Sequence, residues 1–375
     1  MVSIFKEHIK HFAMGLEHMA VALTSILFVA ATVGVTPSNA FLAVGLSTLI
    51  FHIFTKNKLS SVLGVSASYI GGMLLISQTL GNEYVGFGVL GIGLIYLGVG
   101  ATLKKFPNLL NRVPKFIFKL SVVYISLLLI PIGWSMANSQ IGFITVGILL
   151  TLSFIPKVKD YALPLSLLLM GAGTYYTGIW VAPMDTGSIF LTVPHVSITA
   201  FTAISLISIS VIGEVFGDVS ATVMINEVDL GKDVSWSDVF FGIGTANIFS
   251  SFFGVPTVSY SENNGFLKSI GERDLHPTAQ IYTALIFIVM AFVPIIANSL
   301  SRVPFPVYGA LLLFLFVNLG ATTLMDIKFD KTKVIVTVLS LLAFILSRNL
   351  VVVSPITVSF VTSVVSYMAI KKLAI

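Results

Sequence analysis

The sequence predicts an all-α membrane protein of about fourteen transmembrane segments, arranged as two inverted sets of seven, and three observations lead there. Of its 375 residues, 56% are hydrophobic and only 10% are charged, with a mean hydropathy of +1.00; a soluble globular chain carries roughly a quarter charged residues. Apolar runs approaching the ~20 residues that a helix needs to cross the hydrocarbon core recur through residues 12–370, separated by short polar turns. Alternating these runs from a cytoplasmic N-terminus leaves only Arg302 and Arg348, of the 21 Lys and Arg, on the outer side. That asymmetry is the positive-inside rule. It puts both termini in the cytoplasm of a cell whose plasma membrane holds the chain, and it explains the net charge of +5 without nucleic acid.

With no cysteine there is no disulfide framework, thiolate chemistry or Cys-ligated metal. The polar segment 3–10 is not followed by a small-residue cleavage site, so the first span is read as retained. Span one, 12–35, carries Glu17-His18 in otherwise apolar sequence, and Thr36-Pro37-Ser38-Asn39 turns the chain outside. Span two, 41–54, returns it to Lys56 and Lys58. Span three opens with Ser60-Ser61-Val62-Leu63-Gly64-Val65-Ser66-Ala67-Ser68-Tyr69, a run of hydroxyl, β-branched and small residues for which close helix packing is one account. Span four, 86–103, is rich in glycine. Spans five to seven, 116–136, 141–155 and 161–181, carry no charge beyond the basic edge of the first and read as scaffold, with Trp180 at an interfacial position.

The external loop 182–194 divides the chain into two repeats, residues 1–185 and 186–375. A shift of ~190 residues lays Gly64-Val65 on Gly254-Val255 and Arg112-Val113-Pro114 on Arg302-Val303-Pro304. The first Arg-Val-Pro falls inside and the second outside, as an odd number of spans per half requires.

Spans eight to fourteen are 196–223, 239–253, 254–267, 278–297, 304–324, 334–346 and 351–370. Span ten is unlike the others. Its sequence Gly254-Val255-Pro256-Thr257-Val258-Ser259-Tyr260-Ser261-Glu262-Asn263-Asn264-Gly265 begins as extended chain, whose backbone groups must be buried in protein or line a cavity at membrane depth. Broken segments at matching places in two halves point to a transporter's midplane site. Three carboxylates reinforce that reading. Glu214 and Asp218 stand four residues apart on one face of span eight, and Glu262 lies between Pro256 and Gly265. A buried carboxylate protonates or finds a cation, and no basic residue stands inside the neighbouring spans. That leaves protons, a bound cation or a hydrogen-bonding solute.

His18 beside Glu17 is the remaining intramembrane titratable pair, read as a bridge from span one to the carboxylate helix. His52, His195 and His276 lie near span ends, with no role assigned. No Ser-His-Asp set, His-Glu-x-x-His motif or metal-ligand cluster stands out, so an enzyme, a metal or a cofactor is not expected.

At Glu262-Asn263-Asn264-Gly265 the chain resembles the nucleobase-ascorbate transporter family, also called the second class of nucleobase-cation symporters. Glu262, Asn263, Gly265 and Gly271 match its signature, while Ile270 replaces a threonine. Glu17-His18 is similar to the family's Gln-His of span one, residues 64–69 to its serine-rich segment of span three, Glu214 to its span-eight glutamate, and residues 304–309 to the opening of its span twelve. The resemblance implies a core domain of spans one to four and eight to eleven and a gate domain of spans five to seven and twelve to fourteen. It also implies short paired β-strands in spans three and ten with a base between them. Glu214, Glu262, Ala67, Ser68, Tyr260 and Ser261 would then surround the base, and Glu214, Asp218 and His18 would handle a coupling proton, with sodium as the other candidate ion. A homodimer through the gate domain is the partner implied. Asp218 is similar to purine carriers, whereas Glu262 and the lack of an aspartate in residues 241–244 are not, so uracil and a purine such as xanthine both stand. An anion carrier or channel of the sulfate and bicarbonate type is the alternative, opposed by the acidic residues of spans eight and ten.

Overall fold

The computed structural model describes residues 2–65, 69–107, 113–156, 158–159, 162–181, 189, 191–226, 228, 232–260, 276–348 and 355–373. The first half contains α1 (Val2–Val33), α2 (Pro37–Phe54), β1 (Val62–Val65), α3 (Ile70–Thr79), α4 (Val85–Lys105), α5 (Lys115–Ala137), α6 (Gln140–Phe154) and α7 (Ala162–Tyr176). The second contains α8 (Ile207–Asn226), α9 (Trp236–Ser250), β2 (Thr257–Tyr260), α10 (Pro277–Phe292), α11 (Pro294–Ser301), α12 (Phe305–Met325), α13 (Lys331–Ser347) and α14 (Pro355–Leu373).

Local sequence sets the ends of these helices. Thr36 caps α2 by accepting from Asn39 N at 3.3 Å, with Pro37 in the first turn, where its missing N–H costs nothing. Ser235 and Asp238 form a reciprocal capping box on α9. α2 ends in a turn with Lys56 and Asn57 at positive φ, and Gly254 takes a φ of +69° where the chain leaves α9 toward β2.

By length and composition, four described helical segments suffice to cross a membrane: α2, Asn82–Lys105, α5 and α12. The helices α6, α7 and α10 are apolar but shorter. Span eight does not form one straight rod. A helical turn Ile198–Ala200 and a π-helical turn Phe201–Ser205 precede α8, and Ile198–Ile209 is bent by 42° from Val211–Ser220. The bend seats three glycines of other helices. A Cβ on Gly72 would meet Ala203 O at 2.7 Å, one on Gly88 would meet the Ile204 side chain at 2.6 Å, and one on Gly91 the Ser205 side chain at 2.7 Å.

Two packing groups result. In one, α4 packs on α9, α9 on α2 and α2 on α10, α1 lies on α10, and the strands sit among them. In the other, α5 lies against α12, α6 against α12, and α13 against α14. The helix α8 joins them, packing on β2 and α4 of the first group and on α5 and α14 of the second. Its Gly213 and Gly217 make this approach possible: a Cβ on the first would meet Thr357 Oγ1, and one on the second the Ser121 Cβ, each at 2.9 Å. At 3.6 residues per turn, Glu214 and Asp218 follow that seam one position around the helix.

Candidate functional site

The strands β1 and β2 pair antiparallel, with Val62 opposite Tyr260, Leu63 opposite Ser259, Gly64 opposite Val258 and Val65 opposite Thr257. They bring spans three and ten together. A two-stranded ribbon has two free edges, which membrane interiors do not tolerate. Side chains of the helices that precede each strand meet this need. Thr48 Oγ1 of α2 accepts from Leu63 N at 3.0 Å. Asn247 of α9 donates through Nδ2 to Thr257 O at 2.7 Å and accepts through Oδ1 from Thr257 N at 3.0 Å. Thr257 Oγ1 donates to Ser47 Oγ of α2 at 3.2 Å, tying β2 to the helix that also holds β1. Upstream of β1, His52 lies 3.1 Å from Ser61 O and 2.9 Å from Asn57 Oδ1, so it fixes the turn that enters the strand.

The carboxylate helix lies beside this unit, since α8 packs against β2. Asp218 is buried at 6% exposure, well inside the protein and not a solvated helix-end charge, while Glu214 is partly exposed. Glu214 is within electrostatic reach of the Tyr69 and Tyr96 hydroxyls. Those two hydroxyls are 3.0 Å apart, and Tyr69 OH donates to Ser208 Oγ at 3.3 Å, so a fully buried polar network links the starts of α3 and α8 to α4. A carboxyl pair one turn apart can hold a proton and present acceptors to a neutral solute with N–H groups.

His18 is fully buried. Its Nε2 lies 2.8 Å from Gln280 Nε2 of α10, and that amide also donates to Ser60 Oγ at 3.1 Å. This contact joins span one to span eleven and to Ser60, two residues before β1.

Of the residues read from the sequence as a substrate site, Ala67, Ser68, Ser261 and Glu262 lie outside the described residues, and Tyr260 is described only as the last residue of β2. In sequence, Ala67 and Ser68 come two and three residues after the end of β1, and Ser261 and Glu262 one and two residues after the end of β2. Thr48, Asn247, His52 and Gln280 went unassigned in the sequence. Asn247 and Gln280, polar residues within apolar runs, carried a signal of their own, because such groups are retained in membranes only with partners. The end-of-span histidines also have contacts: His195 packs edge-on to Tyr84 at 5.4 Å, and His276 caps α10 and stacks on His11 at 4.8 Å.

Apolar helices around a buried polar centre define a multi-pass membrane transporter, a class that comparison with known proteins agrees with. Residues 179–351 match the sequence model of a family described as "Permease family". The chain is 24% identical to the uracil permease of Paenibacillus larvae over 84% of its own length and 82% of that protein's, and 25% identical to the uracil permease of Bacillus caldolyticus over 92% and 83%. These matches support the nucleobase-ascorbate transporter family for this chain, the family its motifs resemble, and a transporter, not an enzyme. Among solved structures, the fold is similar to that of SLC26A9, with a TM-score of 0.64 at 14% identity over 98% of this chain and 65% of that one. It is also similar to the transmembrane domain of the cyanobacterial bicarbonate transporter BicA, with a TM-score of 0.61 at 11% identity over 96% of each chain. At these identities the structural likeness concerns the fold.

Proposed function

We propose that this chain takes up a nucleobase, uracil or a purine such as xanthine, by proton-coupled secondary active transport across the plasma membrane. The observation that carries the reading is the acid pair carried by α8, the helix that packs on β2, in a chain whose relatives over more than four-fifths of its length are named uracil permeases. In this reading the two inverted repeats supply a core of spans one to four and eight to eleven and a gate of the remaining six. Glu214 and Glu262 face the imide edge of the base, with Ala67, Ser68, Tyr260 and Ser261 around its ring. A proton on Glu214 or Asp218, with His18 in support, neutralises the core so that it moves only when loaded. Differential binding of base and proton to the two facing states couples their fluxes. Sodium in place of the proton is the variant to test. The protein works as a homodimer joined through the gate, with both termini in the cytoplasm.

A ligand panel tests the substrate. Thermal unfolding of the detergent-purified protein is measured with uracil, xanthine, hypoxanthine, adenine, sulfate and ascorbate. A base present at about 100 times its Kd stabilises by about 2.7 kcal/mol, and one base is expected to raise the midpoint while sulfate does not. Stabilisation by sulfate alone would favour the second reading, anion transport, which has BicA's fold on its side. Against it stands the sequence of spans three and ten, where no Lys or Arg occurs from residue 59 to 103 or from 254 to 267.

A further inference from the structure

Opposed residues in an antiparallel pair alternate between those that exchange backbone bonds and those whose N–H and C=O point away from the partner strand. Leu63 and Thr257 are of the second kind, since Leu63 N is held by Thr48 and both backbone groups of Thr257 by Asn247. The chain reaches Thr257 from Pro256, which has no N–H. Thr257 N is thus the first donor of the segment that must be satisfied, and Thr257 O the first acceptor on the same edge.

A third strand would ordinarily meet both groups, yet the only strand described beside β2 is β1. The Asn247 carboxamide has the donor and the acceptor of a peptide group in one plane, and it makes both bonds at once. It is fully buried, and its second N–H is anchored to Ile243 O at 2.8 Å on its own helix, so its position is set by α9. We infer that Asn247 is a positioning residue that stands in for an absent strand. It fixes the depth and register of β2, the strand that Ser261 and Glu262 follow in sequence. This inference rests on the proposed function for its transport readout, and on the geometry alone for its structural one.

Two variants and two readouts test it. Asn247→Leu keeps the bulk and removes both bonds. Asn247→Asp can make both only when protonated, because an ionised carboxylate cannot donate to Thr257 O; burial favours the protonated form at low pH. Kd for the stabilising base is measured for each variant at pH 5 and pH 8, as a ratio to wild type, alongside deuterium uptake of the 257–260 amides. Asn247→Leu is expected to weaken base binding at least tenfold at both pH values and to speed exchange at 257–260. Asn247→Asp is expected to bind within about threefold of wild type at pH 5 and at least tenfold more weakly at pH 8. Wild-type binding by both variants, or an aspartate deficit that does not change with pH, would overturn the inference. Should Asn247→Leu not fold, the two pH values for Asn247→Asp decide. Should wild type bind no base, the proposed function fails separately, and unchanged exchange at 257–260 would overturn the positioning role while faster exchange would uphold it.

Discussion

The strands β1 and β2 have the same task and are held by different chemistry. Each follows a helix whose side chains reach its outward backbone: α2 offers the Thr48 hydroxyl to Leu63 N, and α9 offers a carboxamide to both groups of Thr257. The β1 side adds His52 at the entry turn, and the β2 side adds the hydroxyl bridge from Thr257 to Ser47. What recurs between the two halves is the task of satisfying outward backbone groups of a strand, which a single hydroxyl does for one group of Leu63 and a carboxamide does for both groups of Thr257. The β2 side is therefore the more tightly specified, and it leads into the residues assigned to the substrate.

The comparison can be broken most sharply by cross-linking. The chain has no cysteine, so a Leu63→Cys, Ser259→Cys pair is read without background. These residues face each other across the ribbon as an outward-bonded pair, with Cα atoms expected about 4.5 Å apart, at the near end of disulfide reach. Oxidation should cross-link the pair nearly completely by peptide mass mapping, whereas Leu63→Cys with Val258→Cys, on opposite faces, should stay reduced. Equal yields would mean that the register is wrong. Next in size, Asn247→Leu should lower stability more than Thr48→Val, because each orphaned buried backbone group costs about 1–3 kcal/mol and the first variant orphans two. Detergent melting of the two variants checks the order, and a larger loss for Thr48→Val would reverse the comparison. Ser47→Ala, which removes one hydroxyl bond between buried side chains, should cost about 0.5–1.5 kcal/mol, and less again if Thr257 turns to another acceptor.

The smallest effect lies outside the membrane. Asp330 caps α13 by accepting from Lys333 N at 2.9 Å, and that bond holds its carboxyl below the usual carboxylate range. A lowered folded-state pKa gives stability that is present above the unfolded-state pKa and lost as pH falls through the folded one. Asp330→Ala should therefore melt below wild type at pH 7, and the gap should close in acid. A gap that persists at pH 2.5 would assign the loss to something other than the charged cap.

Much of the architecture was legible in composition and in the spacing of apolar runs. The burial of the extended chain that follows Gly254-Val255-Pro256 agrees with the rule that extended backbone cannot face lipid. The short repeat match placed Gly64-Val65 on Gly254-Val255, yet Gly64 lies within β1 whereas Gly254 precedes β2, which begins at Thr257. Identities of two residues do not register two strands that share a task and not a sequence. Asp218 could be named from its spacing, but its burial depends on how α8 nests through Gly213 and Gly217 against two other helices. Asn247 escaped assignment because its partners are backbone atoms of the strand that follows, and Gln280 because its partners are side chains far away in the chain, neither of which a local pattern records.

The central claim is that an acid pair beside the strand crossing couples a proton to the movement of a small neutral base. Uptake of labelled uracil and xanthine into proteoliposomes, with an imposed inward proton gradient, tests it most directly for wild type and Glu214→Gln. The account predicts that wild type concentrates one of these bases, that collapsing the gradient ends the accumulation, and that Glu214→Gln accumulates none. Accumulation by Glu214→Gln at the wild-type level, or sulfate and bicarbonate exchange with no base uptake, would contradict it.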